Sequence, residues 1–192
     1  MTLLKLALFV AINCALSVAA LAQTNYHTKA IDIKLNGTSN LHDWEMTAVA
    51  GTSDASIVVA NGKITSLSKM NFSLPVKNLK SGKNAMDKNT YKALNTDVNP
   101  NISFVLTSAT VVPTGGNNYK FNCLGKMTIA GTTNATDLVA TGIYNPADKS
   151  FTVTGIKKMK MTDYNVKPPK AMFGTIKTGN DISISYNVKF KA

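Results

Sequence analysis

Few residues in this sequence could carry out acid–base or metal chemistry. The chain has two histidines, His27 and His42, and two cysteines, Cys14 and Cys123. His42 is followed by Asp43, but consecutive side chains of a strand point to opposite faces, so the two do not form a catalytic base and its orienting acid. The histidines and Cys123 also lack the spacing of metal ligands. We therefore expect no catalytic residues, no metal site and no cofactor.

His42 lies in an alternating stretch, residues 39–51, that also contains the only tryptophan. Trp44 and Met46 share the face of His42, whereas Glu45 lies on the other face, as in a half-buried strand. The strand implies a sheet whose apolar face covers either a packed core or a ligand. His42 is then either a structural residue or a polar contact at the mouth of a cavity.

Residues 156–173 collect lysines around apolar side chains and a Pro-Pro pair. One interpretation is a ring of positive charge beside an apolar opening, which would attract a phosphate head group or a membrane surface. The other is a solvated face next to a turn. The lysines of this segment are Lys157, Lys158, Lys160, Lys167 and Lys170.

The N-terminus has the layout of a secretory signal peptide. Lys5 precedes an apolar run, and Ala-Leu-Ala at residues 20–22 forms a small-x-small cleavage site. We expect cleavage after Ala22, which leaves 192 − 22 = 170 residues, enough for one domain over residues 23–192. A membrane anchor is the alternative, but Asn13 interrupts the apolar run. The predicted location is the periplasm or the exterior.

The predicted mature chain carries 20 lysines and 10 acids, a net charge of +10, and contains no arginine. Nucleic-acid readers rely on arginine forks, so we expect no nucleic-acid partner. Peripheral contact with an anionic membrane surface stays open, as does a dimer. One thiol, Cys123, remains after cleavage, which excludes an internal disulfide and leaves its role open.

Apolar residues recur with period two along most of the chain, and glycine- and asparagine-rich turns separate the runs. Asn61-Gly62 is a hairpin signal, and residues 178–180 are predicted as a turn. Residues 81–94 change to a helical period with an apolar stripe, and Asn84 is the predicted cap. The pattern predicts an all-β fold, an extended antiparallel up-and-down barrel of about eight strands with one short helix near its opening. Such a barrel is either filled or holds one small ligand.

Several stretches together resemble the YceI-like family of bacterial polyisoprenoid-binding proteins. The resemblance covers roughly residue 28 to the C-terminus, and the stretches agree with the family in order and spacing. They are GTSNLHDWEM (37–46), MDKNTYKALNTDVNPNISFVLTSA (86–109), LGKMTIAGTT (124–133) and KMKMTDYNVKPPKAMFGTIKTGNDISISY (158–186). The resemblance implies a lipocalin-like barrel, exported to the periplasm, that binds an isoprenoid lipid such as a polyprenyl phosphate or a quinone in an apolar tunnel.

Within that resemblance, the alternation of apolar residues supplies the candidate ligand-binding positions, together with His42. They are Trp44, Met46, Met70, Phe72, Leu74, Phe104, Leu106, Phe121, Met127, Ile129, Met159 and Met161. Our leading interpretation is a non-enzymatic carrier or scavenger of the lipid. The alternatives are an enzyme that acts on such a lipid with His42 as acid or base, and a structural or interaction domain with a filled core.

Overall fold

The chain is described by a computed structural model of residues 23–192, and the predicted signal peptide lies outside the described residues. This part of the chain folds into ten strands and one α-helix, α1 (Asn84–Ala93). None of its helices is long and apolar enough to cross a bilayer. The strands are β1 (Gln23–Ser39), β2 (Trp44–Ala48), β3 (Thr52–Ala60), β4 (Lys63–Pro75), β5 (Asn101–Gly115), β6 (Asn118–Ile129), β7 (Thr132–Asn145), β8 (Ser150–Lys160), β9 (Lys170–Ala171) and β10 (Ile176–Lys191).

Eight of these strands form a closed antiparallel barrel. β1, β3 to β8 and β10 pair in sequence order, and β10 pairs back with β1, so each of these strands has a partner on both sides. β2 continues the wall beside the second half of β1, and β9 pairs with the start of β10. The up-and-down barrel predicted from the alternating pattern is therefore confirmed.

The inward face of each strand follows the alternation, with shifts where a strand bulges. Tyr26 and Ile31 both point inward although their spacing is odd. Lys29 is an extra residue between the pairs that Thr28 and Ala30 make with β10, and it reverses the phase. The predicted Asn61-Gly62 hairpin is also present, with φ angles of 52° and 72°.

Two local predictions were wrong. Residues 178–180 lie within β10, where Thr178 pairs with Ser39 of β1, so ladder pairing overrides the local turn signal. The helix cap is Lys83 rather than Asn84, and no cap side chain bonds to the helix. Asp87, in the first turn, instead accepts hydrogen bonds from Ser81.

The barrel is packed solidly at the end where β8 begins and β10 finishes, which we call the closed end. The rings of Phe151 and Phe190 stack there with centroids 4.5 Å apart, and Tyr26 meets Phe151 edge-on at 5.0 Å. Tyr119 is also buried and accepts a hydrogen bond from the Ile64 backbone N–H at 3.1 Å. At this end the aromatic side chains fill the interior, as in an ordinary core.

Candidate functional site

A cavity of about 350 Å³ lies at the opposite end, where β1 and β8 finish and β2 and β10 begin. We call this the open end. The cavity lies among strand ends, α1 and the segment 161–178, and its walls are mainly aliphatic and methionine side chains. The apolar lining residues are Leu35, Trp44, Met46, Ala85, Met86, Ala93, Leu94, Ile129, Met159, Met161, Tyr164, Val166, Pro169, Ala171, Met172, Ile176 and Ile182.

The candidate residues divide between this cavity and the packed interior. Those lining the cavity are Trp44, Met46, Ile129, Met159, Met161 and His42. Buried in the core instead are Leu74, Phe104, Phe121 and Met127. Partly buried and packed against the core are Met70, Phe72 and Leu106. A ligand-binding role for any of the candidates stays a prediction.

Several lining residues were not among the candidates. Met86 lies in α1 and Leu94 directly follows its last residue, and both belong to the segment with a helical period. Ile182 lies on the inward face of β10, paired with Met159 of β8. Tyr164 follows β8 in a short 3₁₀ helix and carries no periodic signal of its own.

Trp44 is held at the rim by a close contact with β1. It pairs across the ladder with Gly37, and a Cβ at that glycine would lie 2.2 Å from the indole ring. The indole N–H donates a hydrogen bond to the Thr38 carbonyl at 2.9 Å. Only glycine admits the ring at this distance, so the position of this cavity wall depends on a residue without a side chain.

Side-chain bonds hold α1 over the open end. The Tyr91 hydroxyl lies within hydrogen-bonding distance of the Leu79 carbonyl, at 3.0 Å, and accepts a bond from Lys80 Nζ at 2.8 Å. Thr90 Oγ1 lies 3.3 Å from the sulfur of Met46 on β2. These contacts position the apolar stripe of α1 against the cavity.

Asp87, in the first turn of α1, is a buried acid that stabilises the start of the helix. Its carboxylate accepts bonds from the Ser81 backbone N–H at 2.8 Å and the Ser81 hydroxyl at 2.7 Å. Burial raises the pKa, but the two Ser81 bonds and the charge of Lys80 outweigh it, so the pKa lies below its usual value. The carboxylate form is thus favoured in the folded state.

Asp87→Asn is expected to reduce the acid sensitivity of the fold. Because the folded-state pKa is lowered, the ionised carboxylate contributes stability above the unfolded pKa near 4, and this contribution disappears as pH falls through the folded pKa. Urea unfolding at about pH 7 and about pH 3 should show a smaller difference for Asp87→Asn than for the wild type. The exposed Asp97→Asn is the control, and an equal reduction in both variants would contradict the assignment.

The charged residues that line the cavity are lysines. Lys83 precedes α1, Lys160 ends β8, and Lys170 lies in β9. The described lining residues include no aspartate or glutamate. Lys157, by contrast, points elsewhere and pairs with Asp137 of β7 at 2.8 Å. The charged side chains that line this apolar cavity are therefore all positive.

His42 lies just before β2 and lines the mouth. Its Nδ1 is 2.6 Å from the Asp43 backbone carbonyl. The bond goes to the main chain and not to the Asp43 carboxylate. Both residues precede β2, so the strand alternation predicted for this pair does not apply to them. The geometry fits a polar residue at the rim.

Tyr164 closes the wall where two strands separate. The ladder between β7 and β8 covers Ala140–Asn145 against Ser150–Gly155, and within the described chain it does not continue towards the open end. The Tyr164 hydroxyl bonds with the Thr136 hydroxyl of β7 at 2.9 Å. A buried aromatic ring thus replaces main-chain pairing beside the cavity.

A wider groove of about 760 Å³ adjoins the cavity and shares Trp44, Met159, Lys160 and Ile182 with it. Its lining includes Asp43, Asp163 and Asp181 as well as Lys158. Within residues 23–192, no group of three or more His, Cys, Asp or Glu side chains is arranged to hold a metal ion. We assign the site to the smaller cavity, because it is the more enclosed and apolar of the two.

Cys123 is buried in the barrel interior, away from the cavity lining. Burial raises the pKa of its thiol to about 11, so the reactive thiolate is scarce at neutral pH. Burial likewise raises the pKa of the neighbouring Tyr186 to about 12. Both residues behave as parts of the core.

Comparison with known protein families decides the relationship of the chain. The model of the YceI-like domain matches residues 22–190. The chain belongs to the YceI-like family. The family resemblance read from the four sequence stretches is thereby confirmed. Among curated proteins, none matches this YceI-like chain at a significant level.

Solved structures share the fold of this YceI-like protein. BcnA of Burkholderia cenocepacia is 17% identical, with a TM-score of 0.64, and the match covers 83% of this chain and 95% of BcnA. A polyisoprenoid-binding domain of Saccharophagus degradans, implicated in plant cell wall breakdown, is 9% identical, with a TM-score of 0.66 and coverage of 87% and 98%. The YceI protein of Campylobacter jejuni is 13% identical, with a TM-score of 0.54 and coverage of 73% and 81%. At these identities the likeness concerns the fold alone.

Proposed function

We propose that this protein is an exported, non-enzymatic binding protein that takes an isoprenoid lipid of the polyprenyl phosphate or quinone type into the cavity at the open end. The observation that carries the proposal is an apolar cavity whose charged lining residues are Lys83, Lys160 and Lys170. The apolar chain of the lipid would lie among the methionines, and its polar or anionic head between the lysines. The Saccharophagus degradans domain described as polyisoprenoid-binding supports this ligand class.

The size of the cavity limits how much of a lipid it encloses. At roughly 30 Å³ for each water-sized group, a volume of about 350 Å³ holds on the order of twelve carbon atoms, or two to three isoprene units. Burying these groups at about 0.8 kcal/mol for each methylene gives roughly 10 kcal/mol before ordering costs. Longer chains require the methionine walls to move, and methionine side chains adapt easily. Short isoprenoids should therefore bind without rearrangement.

Two measurements test this function. Organic extraction of the natively expressed, purified protein, followed by mass spectrometry, is expected to recover an isoprenoid. Titration with farnesyl phosphate is expected to change the fluorescence of Trp44, the only tryptophan, since its ring lines the cavity. Recovery of no lipid, together with no uptake of farnesyl phosphate or a short quinone, would overturn the proposal. Turnover of the ligand that His42→Ala abolishes would instead identify an enzyme.

A further inference from the structure

Met172 and Phe173 form an exposed apolar tip beside the cavity mouth. Met172 lines the cavity but is 69% exposed, and Phe173 is fully exposed. Both residues adopt positive φ angles, 49° and 54°. For residues other than glycine, this conformation costs on the order of 1 kcal/mol and is sparsely populated. The chain thus directs two large apolar side chains into solvent through an unfavourable backbone conformation.

A third apolar side chain, Leu41, lies on the same rim and is 65% exposed. Ser39, the last residue of β1, and His42, in the loop before β2, line the cavity on either side of it. Asn40 ties this loop to the chain that follows the tip. Its backbone N–H donates to the Lys177 carbonyl at 3.1 Å, and its side-chain oxygen accepts from the Lys177 N–H at 2.7 Å.

The segment that carries Met172 and Phe173 is basic, whereas Asp43, Asp163 and Asp181 line the adjoining groove. Residues 164–180 contain Lys167, Lys170 and Lys177 and no acidic residue, and all three lysines are exposed. Lys170 also lines the cavity. Apolar side chains flanked by lysines are the pattern of surfaces that lie at the interface of anionic bilayers.

We propose that this rim docks on an anionic lipid bilayer. Leu41, Met172 and Phe173 enter the interfacial region, and Lys167, Lys170 and Lys177 face the lipid phosphates. The inference rests on the proposed function and adds the source of the ligand: the cavity mouth faces the membrane, so an isoprenoid passes between bilayer and cavity without crossing water. A patch of three apolar side chains is too small for a stable protein interface, which buries about 1,000 Å² or more.

Co-sedimentation of the purified protein with lipid vesicles tests the docking. Partitioning is expected to be at least tenfold stronger to vesicles containing phosphatidylglycerol than to pure phosphatidylcholine. It should weaken as salt rises from about 50 to about 500 mM, since screening shortens the electrostatic range. Equal binding to both vesicle types, or binding to neither, would overturn the proposal, and the second result would favour a protein partner.

Two pairs of variants separate the rim from general surface properties. Phe173→Ser is expected to weaken vesicle binding roughly tenfold. Ile143→Ser also replaces an exposed apolar side chain by serine, but near the closed end, and should leave vesicle binding unchanged. Lysine at an anionic surface strengthens partitioning about fivefold, so Lys170→Glu with Lys177→Glu should weaken it more than twentyfold. Lys120→Glu with Lys149→Glu, near the closed end, is the matched control. Equal losses in a variant and its control would overturn the assignment.

Ligand uptake measured without vesicles distinguishes this inference from the proposed function. Phe173→Ser should bind farnesyl phosphate in solution as the wild type does, while its rate of extracting a labelled isoprenoid from vesicles falls. Uptake without vesicle binding would overturn the docking and leave the cavity function in place. Vesicle binding without uptake would overturn the cavity function and leave the docking in place.

Discussion

Phe151→Ala is expected to lower the free energy of unfolding by about 3 to 5 kcal/mol, the usual range for deleting a buried aromatic ring. Phe151 is 3% exposed and lies between two other rings, stacked on Phe190 and edge-on to Tyr26. Each such aromatic contact adds about 0.5 to 1.5 kcal/mol beyond burial. The surrounding strands are fixed by ladder pairing, so the void has little chance to collapse.

Urea unfolding followed by circular dichroism measures this effect. The matched control is Phe173→Ala, the same substitution at a fully exposed position, which should change stability by less than about 0.5 kcal/mol. A loss below about 1 kcal/mol for Phe151→Ala would contradict a rigid, filled closed end.

Met159→Trp is expected to weaken isoprenoid binding more than tenfold while leaving the fold intact. Met159 lies near the end of β8, opposite Ile182 of β10, and lines the cavity. An indole in its place would occupy a large part of the 350 Å³ that the ligand needs. Overpacking costs about 1 to 3 kcal/mol in a dense core, but the vacant space at the open end relieves this strain.

Isothermal titration calorimetry with farnesyl phosphate is the suitable measurement, because the introduced tryptophan would add its own fluorescence to that of Trp44. Ile156→Trp is the control, since it places the same side chain on the outer face of the same strand, at a residue 65% exposed. The midpoint of thermal unfolding should stay within a few degrees in both variants. Unchanged affinity in Met159→Trp would show that the ligand binds elsewhere.

Phe151→Ala and Met159→Trp test opposite ends of the barrel, and the interiors of these ends differ. The closed end is a stacked aromatic core, and the open end is a methionine-rich cavity bordered by lysines. Side chains therefore fill the interior at the closed end, and a cavity lies at the open end, where ligand binding stays a prediction.

Local periodicity made the barrel predictable. Alternation reports which face of a strand is buried, and the short loops join neighbours antiparallel, so the up-and-down barrel and its helix follow from the sequence. The same signal could not separate Phe121 from Met159, since both are inward and apolar. Their depth along the barrel axis depends on register and on bulges such as the one at Lys29.

The sequence by itself determined the all-β class, the inward faces and the absence of arginine from the surface charge. The tertiary structure decided which inward residues border empty space and which lysines meet there. Lys83 and Lys160 are 77 positions apart, and Asn40 bonds to Lys177 across 137 positions. Closure of the barrel through β1 and β10 brings these residues together. No local pattern encodes the distance between residues so far apart in the chain.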